Sequence, residues 1–169
     1  MIRLVTLSDY DPKHMEKLCG LLYAAFGVGC EHSKRVHPPS GAEPYDANKL
    51  LTQVETVRAY SDDKLLYLTA ARLKDRPLPS GTAPTSGYAW YGRDRALVST
   101  HGMKILEENL KLVARHSLHQ LGHTWELHHC LDPRCSMYLP WTPSFSGGDA
   151  IFCVFCREKS EQKIRLAKS

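Results

Sequence analysis

The residues able to do chemistry are concentrated: six of nine histidines and four of six cysteines lie between His101 and Cys156. Within that stretch runs His119-Gln-Leu-Gly-His123-Thr-Trp-Glu-Leu-His-His129-Cys130. On a helix, His119 and His123 lie on one side, one turn apart, which is the helical clamp for zinc. His129 reaches the same ion only if the helix stops and the chain turns back. Three neutral imidazoles at roughly 2.0–2.1 Å from zinc leave one tetrahedral position open to water. His128 competes with His129 for the third place, and spacing alone does not separate them. The plainer alternative is two surface histidines at helical spacing, but the third histidine and the adjoining cysteines favour a metal. Glu126 shares the face of His119 and His123 if the helix continues, either as a carboxylate ligand or as a displaced base. The order of preference is zinc on three histidines, then Glu126 as substitute ligand, then an empty site. His116, one turn earlier on that face, reads as a supporting or exposed residue.

Cys130 and Cys135 are separated by four residues and Cys153 and Cys156 by two, with 17 residues between the pairs. Four thiolates in two close pairs match a closed structural zinc site. Two disulfides would require an oxidising compartment that nothing in the sequence indicates. Cys19 and Cys30 are left over and read as buried small apolar residues.

These groups need elements to position them. Residues 2–7 predict a buried strand. Asp11 and Pro12 start a helix, along which Met15, Leu18, Leu22 and Phe26 recur at helical spacing until Gly27 ends the run. Residues 28–36 alternate loosely as a second strand, and a loop follows from residue 37. Asp46 caps a second helix with Leu50, Val54 and Val57 inward. Residues 64–71 read as a central strand, 76–87 as a long loop rich in Pro, Ser and Gly, and 88–91 and 95–99 as short strands. A long helix then spans roughly residues 103–125, its buried stripe being Met103, Leu106, Leu110, Val113, Leu121 and Trp125. At about 100° per residue, His123 points about 160° from Leu121, so the histidines look away from that stripe toward solvent. Strands alternating with helices imply an α/β (α+β) fold with a mixed, mostly parallel sheet and flanking helices.

The chain has 169 residues, 43% hydrophobic and 24% charged, which fits one globular domain and excludes collagen, coiled-coil arrays and full disorder. No apolar run is long enough to span a membrane. The N-terminus lacks the pattern of a secretory signal; with free thiols, this makes the cytoplasm the expected location. The net charge is +4. Residues 157–169 carry five bases against two acids, which reads as a solvated helix or frayed end. Docking on nucleic acid is disfavoured because no basic and aromatic stripe continues upstream.

The histidine run, the adjoining Cys130, Cys135, Met137 two residues on, and the final Cys153-x-x-Cys156 together resemble the archaemetzincins, a branch of the metzincin zinc peptidases. Weaker likeness extends upstream, to the helix start at residues 44–51, the strand at 66–73 and the strand at 96–99. The resemblance implies a single domain over residues 1–169. Its upper sheet-and-helix part covers about 1–129 with the active-site helix at about 103–127, and its lower part about 130–169. It implies two zinc ions, one of catalytic type on His119, His123 and His129 and one structural on Cys130, Cys135, Cys153 and Cys156. Met137 would form the methionine turn beneath the histidines, and the strand near residues 88–91, or its neighbour, the edge along which a peptide lies extended.

Three departures from the family pattern stand out. Gln120 occupies the place of the glutamate that takes a proton from water and passes it to the leaving amine, and losing such a group typically costs ~10²–10⁴-fold. Glu126 stands where the family has a glycine suited to a left-handed turn; there a side chain costs about 1–2 kcal/mol, so a relocated turn is expected. The spacing from Met137 to Cys153 is about two residues shorter than the family's. The functions implied are an impaired zinc metallopeptidase acting on peptides or protein termini or, as an alternative, a non-catalytic peptide-binding protein that keeps the metal. A remote alternative is a zinc-ribbon module for nucleic acid. A monomer is presumed.

Overall fold

The computed structural model describes residues 1–57, 60–78, 81–105, 107–139 and 151–167. Its elements are β1 (Ile2–Thr6), α1 (Pro12–Phe26), β2 (Cys30–Arg35), α2 (Ala47–Gln53), β3 (Lys64–Thr69), β4 (Arg76–Leu78), β5 (Gly81–Ala83), β6 (Gly87–Ala89), β7 (Arg95–Ser99), α3 (Glu107–Thr124) and α4 (Val154–Ala167). Five strands form one sheet in the order β2-β1-β3-β7-β6. The first four run parallel, and β6 lies antiparallel on β7 as an edge.

The near-continuous apolar runs of β1, β3 and β7 follow from burial on both faces. Alternation decides which helix each residue meets. Ile2, Leu4, Leu66, Leu68, Ala96 and Val98 pack with α1 and α3, whereas Val5, Leu65, Tyr67 and Leu97 pack with Leu50 and Leu51 of α2. The predicted caps are present. The Asp11 carboxylate accepts from the Lys13 N–H, and Gly27 closes α1 at φ 62° with its N–H on the Tyr23 carbonyl. Asp46 accepts from Lys49 N–H at the start of α2, which ends one turn earlier than expected: Val54 is its cap and Val57 lies beyond it.

Two expectations are corrected here. The stretch expected as a long loop holds an antiparallel pair, β4 on β5, with Pro77 opposite Thr82; three-residue strands are too short to impose a periodicity on the sequence. The long helix starts at Glu107, not Met103, whose N–H instead closes a turn on the Thr100 carbonyl. Leu106, expected in its stripe, and most of the segment between Met137 and Cys153 fall outside the described residues.

The basic C-terminal segment is an ordered helix, α4, with Cys156, Ser160 and Ile164 facing inward at four-residue spacing; Lys168 lies outside the described residues. Phe26 at the end of α1 contacts Trp125 at 4.5 Å and Phe152 at 5.1 Å between ring centroids. That aromatic cluster ties α1 to the exit of α3 and the entry of α4. Among the described residues, no helix is long and apolar enough to cross a membrane.

Candidate metal centres

Helix α3 is buried on most of its circumference: Ala114, Arg115, Ser117 and His119 are inside along with Leu110, Val113 and Leu121. The expectation that its histidines face solvent is therefore corrected for His119, which is 4% exposed. The helix is covered on its far side by the cysteine-bearing segment, so a single apolar stripe does not describe it.

The end of α3 is held from three directions. Lys64 of β3 donates its Nζ to the Thr124 carbonyl at 3.0 Å, the placement favoured by the negative end of a helix. The Gly92 N–H bonds to the His123 carbonyl at 2.9 Å. Glu126 N–H to the His123 carbonyl and Leu127 N–H to the Gly122 carbonyl then close a Schellman cap. Glu126 takes the left-handed position at φ 61°. The turn is thus kept in place with a glutamate in it, contrary to the expected relocation. The Tyr91 hydroxyl donates to the Glu126 carbonyl at 2.8 Å, and the carboxylate pairs with Lys163 of α4. The helix does not continue through Glu126, so its carboxylate points toward α4 and is not grouped with the histidines.

That turn brings three imidazoles together. The ligand nitrogens of His119, His123 and His129 all lie within 4.8 Å of one another, with the Nε2 atoms of His119 and His123 3.2 Å apart. Tetrahedral zinc with Zn–N bonds of ~2.05 Å sets two nitrogens ~3.3 Å apart. His119 Nδ1–H donates to the Ser136 carbonyl at 2.8 Å and His123 Nδ1–H to the Leu127 carbonyl at 2.9 Å. A carbonyl only accepts, so both rings present an unprotonated Nε2 to the shared space. Burial lowers the pKa of His119 to about 3 and lowers those of His123 and His129, keeping the rings neutral as ligands require. His128 is held elsewhere, with its Nε2 2.9 Å from the Tyr91 hydroxyl. His116 is buried, and burial lowers its pKa to about 4.

Met137 packs against the same helix. A Cβ on Gly122 would fall 2.4 Å from the Met137 sulfur, so the methionine reaches α3 this closely only because residue 122 is glycine. Gln120 lines a cleft of about 540 Å³ with His116, His119 and Gly87. Its carboxamide packs on the edge strand, where a Cβ on Gly87 would lie 2.9 Å from Gln120 Nε2.

Cys130, Cys135, Cys153 and Cys156 form a second group with all four sulfurs within 4.8 Å. Cys130 and Cys153 are 3.7 Å apart, against ~3.7–3.8 Å for two sulfurs on a tetrahedral zinc with Zn–S bonds of ~2.3 Å. All six cysteines are free thiols. The N–H groups of Met137 and Cys153 point at Cys135 Sγ at 3.5 and 3.4 Å, and that of Asp132 at Cys130 Sγ at 3.4 Å. Arg115, buried in α3, donates to the carbonyls of Pro133 and Cys135 at 2.8 and 3.1 Å. Both donor sets fit zinc.

Sequence reasoning missed Tyr91, Lys64, Arg115 and the carbonyls of Ser136 and Leu127. Beyond the resemblance, the signal for the close approach of Met137 was a glycine in mid-helix, at 122.

No family model and no curated protein matches the sequence. Solved structures do. An archaemetzincin from Methanopyrus kandleri superposes with a TM-score of 0.79 at 22% identity, over 97% of this chain and 94% of that one. A zinc-dependent peptidase from Methanocorpusculum labreanum gives 0.73 at 22% identity, over 95% and 100%. An archaemetzincin from Archaeoglobus fulgidus complexed with malonate gives 0.74 at 19% identity, over 94% and 98%. A sheet of four parallel strands with one antiparallel edge, a helix ending in a histidine turn and a cysteine-rich sequel make this the archaemetzincin fold.

Proposed function

We propose that the protein is an archaemetzincin-like zinc metallopeptidase whose hydrolysis is impaired by Gln120. His119, His123 and His129 hold one zinc, and Cys130, Cys135, Cys153 and Cys156 hold a second, structural one. Bound to the histidines, zinc supplies Lewis acidity toward water and a peptide carbonyl. The protein's own groups do the rest. The carbonyls of Ser136 and Leu127 orient the two helical imidazoles, and β6 is an edge that, among the described residues, no further strand pairs with, so a peptide strand can add there.

Gln120 stands in the cleft beside His119. Its carboxamide orients water or a peptide group by hydrogen bonding, but it takes no proton at neutral pH. Proton transfer from water to the leaving amine therefore lacks its carrier. The alternative, a peptide-binding protein that keeps its metal, rests on this same side chain.

The pairing of imidazole nitrogens 3.2 Å apart with carbonyls behind them carries the reading. Its test is an assay of wild type and Gln120→Glu side by side on a peptide library with zinc present. A gain of ~10²–10⁴-fold in the variant is expected. Equal rates in the two proteins overturn the assignment of Gln120 to the base position, and peptide binding without hydrolysis in both favours the alternative.

A further inference from the structure

Cys19 on α1 and Cys30 at the start of β2 belong to neither metal group, yet their sulfurs lie 2.7 Å apart. Cys19 is buried in the core as expected, and Cys30 is half-buried against it. The spacing also separates them from metal ligands. Zinc would hold two thiolates ~3.7–3.8 Å apart, as at Cys130 and Cys153 (3.7 Å), whereas a disulfide needs about 2.05 Å. Both thiols line a surface cleft of about 590 Å³ together with Glu16, Tyr23 and His32. Strand β2 is the sheet edge opposite β6, roughly 19 Å away at four strand spacings.

We propose that Cys19 and Cys30 form a thiol–disulfide exchange site, which a low-molecular-weight disulfide converts to a cross-link between α1 and β2. The Cys19 thiolate attacks one sulfur of the disulfide RSSR, forming a mixed disulfide and expelling RS⁻. Cys30 then releases its proton and attacks the Cys19 sulfur, expelling the second RS⁻. Two protein thiols are oxidised and one RSSR is reduced to two RSH. The order follows from the close approach of the two sulfurs, an interaction that favours the thiolate at Cys19 and the thiol at Cys30.

The test incubates the zinc-loaded full chain with reduced and oxidised glutathione at graded ratios, then alkylates, digests and maps it by mass. The expected product is one linked peptide pair containing Cys19 and Cys30, lighter by two hydrogens, with zinc content unchanged. Thermal stability should rise by ~5–10 °C, because the link closes a short loop, and dithiothreitol should reverse the change. Cys30→Ser should stop at a glutathione adduct on Cys19, and Cys19→Ser should give no cross-link. Complete alkylation of both thiols at every ratio overturns the proposal. So do cross-links confined to the other four cysteines, or an additional zinc that disappears in Cys19→Ser. Wild-type mapping decides the matter even if a serine variant fails to fold.

Discussion

Glu126 is a glutamate at a left-handed position, and the cap around it explains how that is tolerated. Two backbone hydrogen bonds, a donor from Tyr91 and an ion pair with Lys163 hold it there. The ion pair is exposed to solvent and contributes little. Glu126→Ala and Glu126→Gly both remove it, but only glycine also relieves the backbone strain. Urea unfolding should find the glycine variant more stable than the alanine variant by about 1 kcal/mol; the reverse order would mean that the turn lies elsewhere. The histidine spacing was legible in the sequence because a ligand set must repeat at helical intervals. The choice between His128 and His129 was not, because it depends on Tyr91, a partner 37 residues away. Gln120 was marked only by the resemblance, which implies an acid/base residue directly after the first histidine.

At the scale of elements, α1, β1, β3 and β7 were readable because caps and burial on two faces imprint strong patterns on the chain. The β4–β5 pair and the start of α3 were not, since short hairpins and loose helix entries carry no such imprint. The contact of α3 with Met137 was suggested by the family resemblance alone: glycine at 122 marks an absence of side chain, and spacing does not name what fills the space. The geometry makes a firm prediction there. Gly122→Ala places a methyl group against the Met137 sulfur and should destabilise the protein by ~1–3 kcal/mol, with weaker zinc binding at the histidines. Adding Met137→Ala should recover part of that loss, so that the double variant is less damaged than the sum of the single ones. Strict additivity, measured by denaturant titration, would rule out the contact.

At the scale of the whole molecule, the sheet fixes the histidine helix from one side and the cysteine segment braces it from the other, with Arg115 and Met137 as the joints. Burial of the imidazoles has a consequence for stability. His116 and His119 are held neutral, with pKa values of about 4 and about 3, below the ordinary ~6.5. The unfolded chain therefore binds more protons between these values. Stability from this source is complete above pH ~6.5 and is lost as pH falls toward 4, by on the order of 1 kcal/mol per pH unit for each histidine. Urea unfolding of the zinc-free protein as a function of pH should show that decline, and a flat profile from pH 7 to 4 would contradict the burial. The account as a whole depends on two groups of side chains each closing on a divalent ion. Elemental analysis of the purified chain tests it most directly. Two zinc ions per chain are predicted, falling to one in a His119→Ala, His123→Ala double variant. A single zinc unaffected by that change would leave the histidines without a metal, and a chain that takes up none would contradict both centres.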